Sequence, residues 1–243
     1  FLCTITLVSC GDDEKQEIYS LSFEKGYYER PLLGAKNIPV RGGNRDYTVT
    51  VQNTDVLSID IDLSSPIDMG NLVVKPKQKG ETTITVKDNV TNETVDLKIK
   101  IVDSYLNLKV AHPAQVPYTG GENLFFINNS DRDFYLFDEK MEKKECTGNY
   151  QFLIKNSTCY MILNFDKELN DKRTYEYNIS NTSERMFTLI EILLGIDWNM
   201  KADLINRSTR SASPVTMNAV DTETNIIQYF VAGSNDIPEN ILD

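Results

Sequence analysis

The sequence predicts a mainly β protein, in which an antiparallel β-sandwich is followed by a second, β-rich α+β domain. Short runs of alternating apolar and polar residues carry the prediction. The most regular run is Val95–Ile101, which has the pattern of a strand with one buried face. Turn signals such as Gly42-Gly43 and Lys79-Gly80 separate these runs. One segment near 183–195 is apolar at helical spacing instead, so the second domain is expected to contain a single helix.

The first domain is predicted to span residues 18–103. Alternation of apolar and polar side chains predicts most of its strands, and turn residues lie between them. Strands this short, joined by such turns, are typical of an antiparallel sandwich with one packed face and one solvated face. The predicted strands are Arg45–Val51, Leu57–Asp62, Leu72–Val74, Thr82–Val86 and Val95–Ile101.

Three segments of this domain resemble the bacterial Ig-like domains that are found in surface adhesins. They are Asn53–Ile59, Gly70–Pro76 and Lys79–Val86, which read NTDVLSI, GNLVVKP and KGETTITV. The resemblance implies a sandwich that acts as a spacer or an adhesive module, and it brings no catalytic residues with it. The chain departs from that family in lacking a Trp before the first segment and in having a short insertion at 64–69.

The second domain is predicted to span residues 104–243 and to have its own core. It opens with an alternating run at Tyr105–Val110. The next segment, Ala111–Gly121, is rich in Pro and Gly and forms either a linker or a long loop. Phe, Tyr, Ile and Leu dominate many of the strand-like segments that follow. These segments are 124–127, 134–137, 150–154, 159–165, 175–179, 215–220 and 226–231.

The predicted helix near 183–195 has the start and stop signals of an α-helix. Asn181, Thr182 or Ser183 can serve as the N-cap, Glu184 lies in the first turn, and Gly195 ends the segment. The predicted helix carries apolar side chains on almost all of its faces, and a helix of this kind is usually buried on two sides. A docking face for a partner protein is the alternative interpretation.

Residues 1–9 are uncharged and mostly apolar, like the rear half of a signal peptide. The tetrapeptide Leu7-Val8-Ser9-Cys10 resembles the lipobox of bacterial lipoproteins, whose cysteine carries a diacylglycerol. The resemblance implies a lipid at Cys10 that attaches the chain to a membrane, with residues 10–17 as the lipidated cysteine and its polar tether. A plain signal peptide, or a buried apolar strand with an incidental cysteine, is the alternative.

The acidic run after Cys10 resembles the export signal of surface lipoproteins in some Gram-negative anaerobes. It reads GDDEKQE over Gly11–Glu17. This resemblance implies an outer-membrane lipoprotein that is exposed on the cell surface. An acidic tether is also useful to any lipid-anchored protein, so the sequence does not decide between the cell surface and the periplasmic face of the membrane.

The composition argues against several chemistries. A net charge of −11 would repel a phosphate backbone, so no nucleic acid partner is expected. His112 is the one histidine, and neither a G-x-S-x-G motif nor clustered His and Cys occur. A catalytic triad and a zinc site are therefore not predicted. Asp60, Asp62 and Asp68 lack the spacing of a calcium loop, so the sequence predicts no metal and no cofactor.

Cys146 and Cys159 are left for the folded domains once Cys3 and Cys10 are assigned to the leader and the lipid. A compartment outside the cytoplasm favours a disulfide between them. A simple meander with a hairpin turn at Thr147–Asn149 opposes it, because the two cysteines would lie about 13 Å apart along the sheet. The sequence leaves the disulfide open.

Trp198, Tyr27 and Tyr28 are candidate ligand-binding residues, because exposed rings stack on sugars and on partner chains; packing in the core is the alternative. We therefore expect a non-enzymatic cell-envelope lipoprotein whose second domain is presented to a glycan or protein ligand. An anchored hydrolase that cleaves extracellular polysaccharide with a pair of carboxylates is the first alternative. A structural component of the envelope is the second.

Overall fold

The computed structural model describes residues 17–198 and 215–242. It confirms the predicted mainly β class, since a two-sheet sandwich is followed by a closed barrel with one accompanying helix. The predicted lipid attachment site, Cys10, lies outside the described residues. Within those residues, no helix is long and apolar enough to cross a membrane.

The sandwich contains seven strands. They are β1 Tyr27–Pro31, β2 Ile38–Pro39, β3 Tyr47–Val51, β4 Leu57–Asp62, β5 Asn71–Pro76, β6 Gly80–Asp88 and β7 Thr94–Val102. One sheet has the order β1-β7-β6-β3 and the other the order β2-β5-β4. β1 runs parallel to β7, and the remaining pairs are antiparallel. The sequence predicts β3 to β7, most of them from alternation and β5 from a short apolar run, whereas it predicts neither β1 nor the two-residue β2.

The core of the sandwich is formed by the inward-facing residues of these alternating strands. Leu57, Leu72, Ile84 and Leu97 are each 0% exposed. Burial of side chains of this size stabilises the fold by roughly 1.5–3 kcal/mol each. The hydrophobic alternation that predicts the strands is therefore also what holds the two sheets together.

The second part of the chain forms an eight-stranded closed barrel. Its strands are β8 Tyr105–Val110, β9 Asn123–Ile127, β10 Asp133–Phe137, β11 Lys144–Lys155, β12 Thr158–Leu169, β13 Lys172–Asn178, β14 Thr216–Asp221 and β15 Ile227–Ala232. Each strand pairs with the next in antiparallel fashion, and β15 returns to pair with β8. The sequence predicts all eight strands but not the closure.

Side chains fill the interior of the barrel. Phe126, Tyr150, Met161 and Phe230 point inward and are at most 1% exposed. Eight strands enclose a space that is just wide enough for side chains to fill. The barrel therefore has a packed core.

The helix α1, Glu184–Leu194, closes one end of the barrel. Met186, Phe187, Ile190 and Leu194 pack into the barrel core, whereas Ile192 on the other side is 55% exposed. The expected burial on two sides is therefore incomplete, since the helix is buried where it meets the barrel and exposed at Ile192. Gly195 follows it in the left-handed conformation that was expected of a helix stop.

The carbonyl end of α1 is held by a basic side chain from another loop. Arg132 Nη1 donates hydrogen bonds to the carbonyl oxygen of Leu194, at 2.5 Å, and to Asn128 Oδ1, at 2.9 Å. A positive charge at this position satisfies an unpaired carbonyl and complements the helix dipole. The β9–β10 loop and α1 therefore form one unit at this end of the barrel.

The structure separates Cys146 from Cys159. β11 runs unbroken through Thr147–Asn149, where a hairpin turn was predicted. Cys159 pairs with Ile154, which lies eight residues beyond Cys146 on β11, and this separation corresponds to about 26 Å along the strand. The prediction of a hairpin turn at Thr147–Asn149 was wrong. A disulfide between Cys146 and Cys159, which the sequence left undecided, is excluded because the two thiols lie near opposite ends of the barrel.

The C-terminal segment 233–242 joins the barrel to the sandwich. Ile237 and Leu242 are about 5% exposed and pack with Val102 of β7 and with Phe125 and Phe137 on the outer face of the barrel. We call this group the junction cluster. Its apolar contacts fix how the two parts of the chain sit against each other.

Polar contacts surround the junction cluster. Lys25 and Lys36 of the sandwich form ion pairs with Glu239 and Asp236, at 2.5 and 2.9 Å. Lys100 Nζ donates a hydrogen bond to the carbonyl oxygen of Leu242 at 2.8 Å. These half-exposed ion pairs contribute little individually, so the apolar cluster supplies most of the attachment and the ion pairs set its orientation.

Candidate functional site at the loop end of the barrel

The barrel has two chemically different ends. The helix end carries α1, and the chain also enters β8 and leaves β15 at that end. Because successive strands are antiparallel, the opposite end collects the connections β8–β9, β10–β11, β12–β13 and β14–β15. We call it the loop end. Its four connections are 111–122, 138–143, 170–171 and 222–226.

The longest of these connections, 111–122, is held in place by two buried polar side chains. Gln228, on β15, accepts a hydrogen bond from the Gln115 backbone N–H at 2.7 Å and donates one to the Ala111 carbonyl at 3.4 Å. Glu122 accepts hydrogen bonds from the backbone N–H groups of Thr119 and Gly120, both at 2.6 Å. The segment predicted to be a linker or a long loop is thus a fixed loop.

The carboxylate of Glu122 stays ionised in this position. Burial acts to raise the pKa of Glu122, but the hydrogen bonds from Thr119 and Gly120 outweigh it, so the pKa lies below its usual value. A carboxylate that accepts several N–H bonds is stabilised in its charged form. Its role is therefore to anchor the loop and not to donate a proton.

A cavity of about 210 Å³ opens beside this loop. We call it the loop-end cavity. Lys172 lies at its wall, where Nζ forms an ion pair with Glu223 at 2.9 Å and lies 4.8 Å from the centroid of the Tyr175 ring. Two exposed aliphatic side chains, Val116 at 66% and Ile226 at 46%, form part of its lining. The cavity therefore offers both polar groups and apolar contact area.

Two buried tyrosine hydroxyls lie next to each other in this part of the barrel. Tyr177 lines the cavity and is 1% exposed, and Tyr118 is 5% exposed. Burial raises the pKa of both, and each hydroxyl alters the pKa of the other. The two hydroxyls act on each other as hydrogen-bond partners, with a geometry poorer than that of an ordinary hydrogen bond, and both oxygen atoms are buried from water. The tyrosine pair is therefore part of the packed interior of the barrel beneath the cavity.

A second, wider depression of about 500 Å³ lies on the other side of the loop. Glu122, Asp138, Glu139 and Glu145 line it together with Cys146. Burial, followed by the charge of Glu145, raises the pKa of Cys146 to about 11, so this thiol is not a nucleophile at neutral pH. Among residues 17–198 and 215–242, no group of His, Cys, Asp and Glu is arranged to hold a metal ion.

Hydrogen bonds lower the pKa of four described carboxyls and so favour their ionised form. A general acid of glycoside hydrolysis requires a raised pKa instead, so these four do not fit that role. The four are Asp62, Asp88, Glu122 and Asp221.

The aromatic residues singled out in the sequence do not form a binding surface. Trp198 is 6% exposed and packs edge-on against Phe152 and Phe187, and Tyr28 is 3% exposed in the sandwich core. Tyr27 is half-buried and donates a hydrogen bond to Glu29 at 2.6 Å. The alternative of core packing therefore describes Trp198 and Tyr28, and none of the three lines the loop-end cavity.

His112, the one histidine, lies in the 111–122 loop. Its ring packs against Gly120, so closely that a Cβ atom at that glycine would lie 2.2 Å from the ring. Gly120 has a φ of +103°, a conformation that side-chain-bearing residues rarely adopt. The histidine thus has a packing role in the loop.

Comparison with known proteins does not assign the chain to a family. No family model matches the chain, and no curated protein matches it. Among solved structures, the chain is similar to domains 5–6 of the S-layer protein SbsC, with a TM-score of 0.29, 13% identity, and coverage of 65% of this chain and 95% of that one. A structure of domains 4–9 of SbsC gives a TM-score of 0.31, 12% identity, and coverage of 90% and 27%. TM-scores this low do not establish a common fold, so no argument about function rests on them.

Proposed function

We propose that this chain is a non-enzymatic cell-envelope lipoprotein in which an Ig-like sandwich carries a barrel that binds an extracellular glycan or protein. The observation that carries the proposal is the loop end, where a cavity with apolar and polar walls lies among three of the four connections. Binding residues on β scaffolds are concentrated in such loops, because the rigid strands hold them in place.

Exposed apolar side chains support a binding role for this end. Val116 and Ile226 line the cavity, and Tyr229, which follows in β15, is 42% exposed. Exposed apolar groups that gather at a polar-rimmed cavity mark interaction sites more often than single apolar residues do. We take this surface, together with the cavity, as the part of the barrel that meets the ligand.

The placement of the chain ends supports presentation away from the anchor. The sandwich follows the proposed lipid site Cys10 in the chain, and the chain enters and leaves the barrel at its helix end. The loop end is therefore the part of the barrel that faces away from the chain connection. The lipid itself is tested by fatty-acid labelling in cells, where Cys10→Ser should abolish labelling; persistent labelling of the variant would disprove the anchor.

The binding function is tested with the purified full chain on glycan arrays and on immobilised extracellular proteins. We expect binding without release of sugars or peptides. Val116→Asp should reduce the binding at least 10-fold, because it places a charge on the apolar wall of the cavity. The matched control is Ile67→Asp, which changes an aliphatic residue of the sandwich that is 94% exposed.

Three outcomes would overturn the proposed function. The first is an absence of binding to any array component. The second is binding that Val116→Asp and Ile67→Asp change equally, since the loop end would then have no special role. The third is turnover, meaning the release of sugar or peptide from a bound polymer.

A further inference from the structure

The sandwich carries a group of exposed apolar side chains at the end opposite to its connection with the barrel. The chain leaves β7 for the barrel at Val102, beside the start of β6, whereas β7 starts and β6 ends at the other end of the sheet. We call that other end the tether end, and it consists of the segments 17–22, 41–46, 63–70 and 89–93. Its exposed apolar side chains are Ile18, Tyr19, Leu63, Ile67 and Val90.

Hydrogen bonds from the segment 44–46 connect the start of the described chain to the β6–β7 turn. Asn44 Oδ1 accepts a hydrogen bond from the Tyr19 backbone N–H at 3.0 Å, and Asn44 Nδ2 donates one to the Tyr19 carbonyl at 2.9 Å. The carbonyl of Asp46 accepts a hydrogen bond from the Asn89 N–H at 2.8 Å, next to Val90. The apolar side chains of these two segments are therefore held at the same end of the sandwich.

Arg45 connects the β4–β5 loop, 63–70, to the same place. Its guanidinium donates hydrogen bonds to the carbonyl oxygens of Asp68 and, at 2.8 Å, of Leu63. Although the loop is held in this way, Ile67 within it is 94% exposed. Exposed apolar residues that gather in one place mark interaction sites, whereas singly scattered ones do not. The tether end is therefore a candidate contact surface.

The chain reaches the tether end only a few residues after the proposed lipid site. Seven peptide units separate Cys10 from Glu17, and they span at most about 25 Å when fully extended. A lipid at Cys10 would therefore keep the tether end within about 25 Å of the membrane. The nine residues of β6 alone extend about 30 Å away from that end. The surface nearest to the lipid is thus also the apolar one.

The charged groups of the tether end favour an uncharged membrane surface. The guanidinium of Arg45 is bound to carbonyl oxygens, as described above. Glu93 accepts a hydrogen bond from the Leu21 N–H at 2.8 Å, and Asp46 accepts one from Asn89 Nδ2 at 2.8 Å. Anionic headgroups would be repelled by a chain of net charge −11. Zwitterionic headgroups are not repelled in this way, and the gain from removing aliphatic side chains from water does not depend on charge.

From these features, we propose that the tether end rests on the membrane, with Ile67 and its exposed apolar neighbours inserted among uncharged lipid headgroups. The proposal rests on the lipid anchor of the proposed function and adds a second contact to it. A few side chains are sufficient because the lipid at Cys10 keeps their local concentration at the membrane high. The contact fixes the sandwich with its barrel side pointing away from the membrane.

The contact is tested with the lipidated full chain in phosphatidylcholine vesicles. A polarity-sensitive fluorophore is attached at Ser64→Cys, near Ile67, and in a separate chain at Thr54→Cys, an exposed position on the barrel side of the sandwich. Cys146 and Cys159 do not compete for the label, because burial raises the pKa of both thiols. We expect lipids that carry a nitroxide near the headgroup to quench the fluorophore at position 64 and not the one at position 54.

The role of the apolar surface is tested by Ile67→Asp in the chain labelled at Ser64→Cys. This change should lower the ratio of quenched to unquenched fluorophore about 10- to 100-fold, the range expected for one aliphatic side chain that leaves an apolar environment. The chain itself should stay on the vesicles through its lipid. Ile192→Asp is the matched control, because it makes the same change at an exposed position of α1 on the barrel, and it should leave the quenching unchanged.

Each failure gives a different result. Vesicle-bound chain with no greater quenching at position 64 than at position 54 would overturn the membrane contact and leave the anchor standing. Equal quenching in Ile67→Asp and in the native chain would also overturn the contact. A fluorophore at position 64 that reports apolar surroundings without quenching by lipid would mean that a protein or a second copy covers the tether end. Full chain that cells produce without a lipid would disprove both the anchor and the contact.

Discussion

At the scale of single residues, Asp88 shows how a buried carboxylate holds a turn of the sandwich. It is 0% exposed and accepts hydrogen bonds from the backbone and side-chain N–H groups of Asn44, at 2.8 and 2.9 Å, and from the Val90 N–H at 2.9 Å. Burial acts to raise the pKa of Asp88, but these hydrogen bonds outweigh it and the pKa is lowered. The folded state therefore favours the ionised form.

We predict that Asp88 makes the sandwich sensitive to acid. Because folding lowers its pKa, the stabilisation is complete above the usual carboxyl pKa of about 4 and is lost as the pH falls below it. Asp88→Asn should lower the free energy of unfolding at pH 7 by about 1.5–3 kcal/mol. The free energy of unfolding of the variant should also decrease less between pH 7 and pH 3 than that of the native chain. Urea unfolding at pH 7 and at about pH 3 measures both effects. Asp55→Asn, at an exposed position, is the control, and an unchanged pH dependence in Asp88→Asn would refute the assignment.

The two cysteines of the barrel are predicted to be unreactive. Burial raises the pKa of Cys159, and burial followed by Glu145 raises that of Cys146 to about 11. Both thiols are therefore protonated at pH 7.5, and in the folded protein they should react slowly with iodoacetamide. In 8 M urea, where the protein is unfolded, they should react rapidly. Peptide mapping measures the extent of alkylation at each cysteine. A peptide in which Cys146 is linked to Cys159 would contradict the separation of these residues along β11.

The residues of the candidate site were not predicted from the sequence. The cavity is lined by residues from three loop-end connections and the adjoining strands, which are far apart in the sequence. The alternating pattern does place Tyr175 and Tyr177 on one face of a strand. Aromatic identity alone, which drew attention to Trp198 and Tyr28, does not distinguish a stacking surface from a core.

At the scale of elements, Gly148 explains why β11 continues through Thr147–Asn149, where a hairpin turn was predicted. Thr147-Gly148-Asn149 has the composition of a turn, but β11 continues through it. A Cβ atom at Gly148 would lie 2.0 Å from the carbonyl oxygen of Asn164 on β12 and 2.7 Å from the Phe134 ring. The glycine is there because the neighbouring backbone comes close, and short-range sequence patterns do not distinguish this reason from a turn.

We predict that Gly148→Ala destabilises the barrel by about 1–3 kcal/mol. The added methyl group meets a backbone oxygen, which cannot move without shifting the β11–β12 pairing. Gly26→Ala is the matched control, because nothing lies within 4 Å of the position of its Cβ atom. Thermal and urea unfolding of both variants give the comparison, and equal stability of the two would show that β12 is further away than the structure places it.

At the scale of the whole molecule, the junction cluster determines whether the sandwich and the barrel move together. We predict that Ile237→Ser, which removes an apolar side chain that is 5% exposed, loosens the two parts. The native chain should unfold in one transition, and the variant in two, with a broader distance distribution in small-angle scattering. Ile227→Ser, at a position that is 40% exposed, is the control. A single transition in both would mean that the parts are held together by other contacts.

Sequence patterns predict the strands of the barrel but not its closure. Closure depends on the pairing of β15 with β8, for example Phe230 with Val110, and these strands are separated by most of the domain. Alternation shows which face of each strand is buried, and the alternating pattern is the same in an open sheet and in a barrel. The mainly β class could therefore be predicted from the sequence. The closed arrangement of the strands could not, because it depends on which distant strands pair with each other.

The way in which the chain enters and leaves the barrel has a consequence for how such a protein can diversify. Both crossings of the chain, into β8 and out of β15, lie at the helix end, whereas the junction cluster covers the outer face of the barrel and contacts Met141 of the 138–143 connection. Insertions, deletions or grafted segments in the other three loop-end connections would leave both the junction cluster and the strand pairing unchanged. Those three connections can therefore change in sequence and length without altering the attachment of the barrel to the sandwich.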